Sequence, residues 1–117
     1  MKTLDQLLAT SCRHLSGSPL NSAQIAEQLS VLDGWTQEDR SIAKDYAFAD
    51  FRATMAFVNA LAEMVDREDH HPEMVVGYNR CRVRFDTHSV GGISDNDFIC
   101  AAKTDLIFKQ LGPRRAA

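Results

Sequence analysis

The chain has 117 residues, of which 44% are apolar and 25% charged, and its formal net charge is −3. That length fits one domain able to bury roughly two-thirds of its unfolded surface without metal or disulfide staples. The charge offers no general attraction for phosphate backbones or anionic lipid, so nucleic acid and membrane are poor candidates for partners.

Cys12, Cys81 and Cys100 are odd in number and contain no C-x-x-C pair, which gives neither a disulfide framework nor a zinc ribbon and points to a reducing compartment. The N-terminus has no apolar run long enough for a signal peptide or a membrane span, so a cytoplasmic protein is expected.

Residues 1–20 are weakly patterned and end in Ser16-Gly17-Ser18-Pro19, which predicts a loose lead-in with one helical turn at Leu4 to Leu8. Asn21 can cap a helix, Gln24 stands at the reciprocal position of a capping box, and Ile25, Leu29 and Leu32 follow at helical spacing, giving a helix over about 22–32. Asp33-Gly34 ends it. From Trp35 to Ala49 the pattern is extended, with Ile42, Tyr46 and Phe48 on one face, and predicts two strands joined near Glu38-Asp39. Asp50 caps the strongest helix, in which Phe51, Met55, Val58, Ala62 and Val65 form a stripe widened by Thr54, Phe57, Leu61 and Met64. It must end before Pro72.

Met74–Tyr78 and Arg80–His88 read as a second strand pair turning near Asn79, with Cys81, Val83, Phe85 and Thr87 on one face and Arg80, Arg82 and Arg84 on the other. The usual reading of such an arginine row is a solvated face balanced by Asp86 and neighbouring acids. Ser94 and Asp97 make a near capping box for a last, broadly apolar helix that Gly112-Pro113 terminates; it buries either in the core or against a second subunit. The domain is thus residues 21–112, with a short basic tail over 113–117. The order α-β-β-α-β-β-α favours an α+β fold with an antiparallel sheet and helices on one face.

Chemistry concentrates in Asp66-Arg67-Glu68-Asp69-His70-His71-Pro72-Glu73, with His88 in the next extended segment. Imidazoles near carboxylates are general acid/base candidates. Asp66 lies four residues before His70 and reaches it if the helix persists, while adjacent residues outside a helix face apart, so His70 and His71 need not share a task. The three histidines lack the i, i+4 spacing of common hydrolytic zinc motifs, so no metal is expected. Trp35, Tyr78 and the phenylalanines are read as core before ligand contacts, and His14 and Asp105 carry no usable pattern.

His70-His71-Pro72, Tyr78-Asn79, Thr87-His88, Gly92-Ile93-Ser94 and Asp97, in that order and spacing, resemble the pterin-4a-carbinolamine dehydratase family. The likeness takes in Gly34-Trp35, Phe48-Ala49-Asp50-Phe51 and Asp66, and covers roughly residues 25–108. Met74 departs from it, standing where relatives often carry tryptophan.

The resemblance implies a four-stranded antiparallel sheet with three helices, in homodimers or homotetramers. It also implies dehydration of 4a-hydroxytetrahydropterin to quinonoid dihydropterin, recycling the pterin of aromatic amino-acid hydroxylases, a possible pathway client. His70, His71 and His88 would be catalytic. Asp66, His70, His71, Pro72, Thr87, His88, Ser89 and Val90 would bind the pterin, which is the substrate, and no other cofactor is needed. Asp97 is read as a cap. The rival implication is a non-enzymatic scaffold, a dimerisation cofactor or transcriptional coactivator; the retained histidines and Asp66 favour the enzyme.

Overall fold

The computed structural model describes the backbone of residues 1–116 and the side chains of residues 1–111. Its elements are α1 (Leu4–Ala9), α2 (Ser22–Leu29), β1 (Thr36–Glu38), β2 (Ser41–Ala47), α3 (Phe51–Glu68), β3 (Glu73–Val76), β4 (Arg80–Phe85) and α4 (Asp95–Ala116). The strands form one antiparallel sheet in the order β1-β2-β4-β3, and from α2 onward the element order is the one the sequence predicts. No helix among the described residues is long and apolar enough to cross a membrane.

Pairing in the sheet sets Ile42 opposite Phe85 and Tyr46 opposite Cys81, so one face is apolar and buried. The helices cover that face. The hairpin between β1 and β2 turns through Asp39 at φ 59°, an aspartate taking the left-handed conformation usually given to glycine or asparagine. On the helix-free face Arg82 pairs with Glu38 and Asp45, and Arg84 pairs with Glu38. The arginine row is therefore balanced by acids of β1 and β2, rather than by Asp86.

Along α3 the fully buried stripe is Ala53, Thr54, Phe57, Leu61, Met64 and Val65, while Phe51 is exposed and Met55, Val58 and Ala62 are half-buried. The expected stripe is rotated, because Asp50 caps the helix through the Ala53 amide and Thr54 bonds the carbonyls of Asp50 and Tyr78. Trp35 and Tyr46 lie in the core, and both donate to Asp105, which also holds Lys44 at 2.9 Å. Asp105, unpatterned in sequence, thus ties β2 to α4. Burial, with Asp105 adding to it, pushes the Tyr46 hydroxyl well above its ordinary range.

Residues 1–20 are more ordered than the sequence predicts. Thr3 and Gln6 form a capping box at α1, Leu7 is fully buried, and both amide atoms of Gln28 bond the backbone of Lys2. Because α1 packs on α4, Phe98, Ile99, Cys100, Ala101 and Ala102 are all buried within one chain. The N-terminal segment covers part of the second apolar side of α4, while Leu106 stays exposed. Gly112-Pro113 does not end α4 as the sequence predicts, for the helix runs on to Ala116; proline forfeits one ladder bond, but its fixed φ is itself helical. The side chains of Arg114 and Arg115 lie outside the described residues.

Candidate active site

The end of α3 decides where the histidines go. Asp69 adopts the left-handed conformation at φ 51°, its amide bonds Asp66 O, and the His70 amide bonds Val65 O. That is the reversal of a Schellman turn, with aspartate in the position glycine usually takes. The helical geometry needed for an Asp66–His70 pair ends at Glu68. Instead Asp66 Oδ1 meets His71 Nε2 at 2.8 Å, and His70 Nε2 meets Asp97 Oδ1 at 2.6 Å.

These two pairs differ in kind. His71 and Asp66 have side chains 55% and 77% exposed, so their attraction is screened and weak. His70 and Asp97 are 11% and 0% exposed. The His70 ring lies flat on Phe85, with centroids 6.0 Å apart and planes 10° off parallel. Asp97 Oδ2 accepts from the Ser94 amide and from Thr87 Oγ1, both at 2.9 Å. Ser94 donates onward to Thr87 at 2.6 Å, and its own oxygen accepts from the Asn96 amide. Asp97 is therefore the capping residue the sequence predicts and also the fixed partner of a histidine. A carboxylate can only accept, so this pairing calls for the hydrogen on Nε2 of His70.

His88 is held by the loop between β4 and α4. Thr87 and Gly92 pair as an isolated bridge, His88–Val90 form one 3-10 turn, and Gly91 closes it at φ 73°. A side chain at Gly92 would sit 3.0 Å from Pro19 Cβ, so the N-terminal segment lies against this loop.

A cavity of about 500 Å³ opens where these pieces meet. His70, His71, Thr87, His88 and Ser89 line it, as the sequence predicts; Asp66, Pro72 and Val90 do not, and Val90 is buried. The far wall is unexpected: it consists of Cys12, Arg13, His14 and Leu15. That segment is pinned by Glu68 Oε1 accepting the Cys12 amide at 2.7 Å, by the Asn96 side chain on both Arg13 backbone atoms, and by Ser89 on Leu15 O. Glu68 also pairs with Lys103 at 2.6 Å. Burial pushes its carboxyl up, but Lys103 and the Cys12 amide more than offset this and hold it below the usual value.

All four histidines of the chain thus border one cavity. Among the described residues, no group of three or more His, Cys, Asp and Glu side chains is placed to hold a metal ion. One signal for the missed wall was legible: Thr3-x-x-Gln6 is a capping-box pattern. For Asp97, the signal was the second oxygen that a capping carboxylate leaves free.

An open four-stranded antiparallel sheet with helices on one face, carrying a cavity of histidines and carboxylates at the end of α3, defines an α+β protein. Residues 18–107 match the family model described as pterin 4 alpha carbinolamine dehydratase, and the chain belongs to that family. It is 46% identical over 109 residues to a protein of Nitrosospira multiformis named "putative pterin-4-alpha-carbinolamine dehydratase", covering 92% of this chain and 96% of that one. A protein of the same name from Bdellovibrio bacteriovorus is 53% identical over 98 residues, covering 80% and 82%. Among solved structures, the transcriptional coactivator/pterin dehydratase of Brucella melitensis superposes with a TM-score of 0.74 at 34% identity, over 77% of this chain and 98% of that one.

Proposed function

We propose that the chain dehydrates 4a-hydroxytetrahydropterin to quinonoid dihydropterin and water. The observation that carries this reading is the meeting of His70, His71 and His88 at one cavity, with His70 locked to a buried carboxylate. Hydroxide is a poor leaving group from C4a, so a protonated imidazole must deliver a proton to it as the N5 lone pair expels it. A neutral imidazole then takes the N5 proton. Each such transfer typically contributes about 100 to 10,000-fold.

His70 acts as the base through Nδ1, and Asp97 stabilises the charge it acquires. His88 supplies the proton to the departing hydroxyl. His71, exposed and paired with Asp66, orients the pterin, and Thr87 and Ser89 complete the contacts. No metal or further cofactor takes part. The protein works in the cytoplasm, recycling the pterin of an aromatic amino-acid hydroxylase.

A homodimer or homotetramer is the expected assembly. The half-buried stripe of Met55, Val58 and Ala62 beside exposed Phe51 supports it, and light scattering tests it. A coactivator role is the second reading, favoured by the description of the Brucella melitensis neighbour. The test of the first is the series His70→Ala, His71→Ala and His88→Ala in a dehydration assay. Loss of activity in His70→Ala and His88→Ala with folding intact supports the roles given; three fully active variants would remove the histidines from the chemistry.

A further inference from the structure

Cys12 lies on the cavity wall and is half-buried, whereas Cys100 on α4 is fully buried, and their sulfurs are 3.5 Å apart. A disulfide needs about 2.05 Å, so a shift of about 1.5 Å joins them. The two residues come from segments 88 positions apart in sequence, so only the docking of the N-terminal segment brings them together.

We propose that Cys12 and Cys100 are a site of oxidative modification, closing to an intrachain disulfide when a hydroperoxide reaches Cys12 through the cavity. The Cys12 thiolate attacks one peroxide oxygen, the O–O bond breaks, and Cys12 becomes a sulfenic acid while the other oxygen leaves as water or alcohol. The Cys100 sulfur then attacks the sulfenic sulfur. The S–S bond forms, the S–O bond breaks, and the departing hydroxide leaves as water with the Cys100 proton. Two thiols are oxidised and one peroxide is reduced.

The division of roles follows from access. Cys12 borders the cavity and meets the oxidant; Cys100 does not. The neighbouring Cys12 sulfur and burial together push the Cys100 thiol far above the ordinary thiol range, so Cys100 is the protonated partner that answers only after Cys12 has met the oxidant. Cys81 is an internal control: it is fully buried on the core face of β4, and burial raises its thiol to about 11. The bond would draw the wall at Cys12 toward α4 and tie residues that the backbone of Arg13 and the side chain of Asn96 already hold together.

The test is hydrogen peroxide added to the folded full-length protein, followed by thiol counting after denaturation, intact mass and peptide mapping. The expected product has lost the mass of two hydrogens, keeps one free thiol, carries a Cys12–Cys100 linked peptide, and reverts with a dithiol reductant. Cys12→Ser should keep both of its remaining thiols under the same treatment, and Cys100→Ser should gain oxygen at Cys12. Three retained thiols, oxygen added to the natural protein without a linked peptide, or disulfides only between chains would overturn the proposal. None of these readouts depends on pterin turnover, so the site stands or falls apart from the dehydratase reading.

Discussion

Replacing Asp97 by asparagine separates its two tasks. The carboxylate receives three donors, His70 Nε2, Thr87 Oγ1 and the Ser94 amide. An amide has one acceptor oxygen, and the cap keeps its bonds only if that oxygen faces Ser94 and Thr87. The amide nitrogen then faces His70, which must switch tautomer and place its hydrogen on Nδ1, so the proposed base loses its lone pair. Bonds to a charged group contribute about 1.5–3 kcal/mol each against about 0.5–1.5 for neutral ones, so a net loss of roughly 1–3 kcal/mol is expected. With an unfolding entropy of about 2.1 cal/mol/K per residue, each kcal/mol lowers Tm by about 4 °C.

Dehydration should fall by about 100-fold or more, within the range for one acid/base group. The assays are thermal unfolding by circular dichroism and the ultraviolet change of a 4a-hydroxytetrahydropterin made in situ. Ser94→Ala is the control, because it weakens the cap and leaves the tautomer alone: stability should drop and activity should stay within about fivefold of the natural rate. A folded Asp97→Asn protein with undiminished activity would refute the reasoning.

Three further outcomes follow from the geometry. Asp66→Asn, at an exposed pair, should change stability by less than about 1 kcal/mol in urea titration, and dehydration should stay near the natural rate. Leu7→Ala should cost roughly 2–5 kcal/mol in the same titration, because Leu7 is fully buried under α4; a negligible cost would mean that α1 is not docked. The Glu68 carboxyl is held below its unfolded value, so its contribution to stability is present above about pH 4.5 and is lost as pH falls through the folded value. Stability against pH should therefore have a steeper acid limb in the natural protein than in Glu68→Gln; identical limbs would count against the Lys103–Glu68–Cys12 arrangement.

What the sequence made legible was whatever local chemistry determines. The Asn21-Gln24 capping box, the Asp50 cap, the alternation of Cys81, Val83 and Phe85, and the stop ahead of Pro72 all act within a few residues. The cavity histidines were legible for the same reason, as a dense titratable run beside a proline. Their partners were not. Whether Asp66 meets His70 or His71 depends on one left-handed residue, Asp69, and whether a capping aspartate also holds a histidine 27 positions away depends on how α4 crosses the end of α3. The N-terminal wall was hidden because Cys12 to Leu15 have no periodicity. They are placed by Glu68, Ser89 and Asn96, contacts spanning 56 to 83 positions.

The most direct test of the dehydratase reading is the initial rate at which purified natural protein dehydrates 4a-hydroxytetrahydropterin, compared with buffer alone. Acceleration that scales with protein concentration and saturates with pterin is the predicted result. A folded protein that leaves the buffer rate unchanged would contradict it.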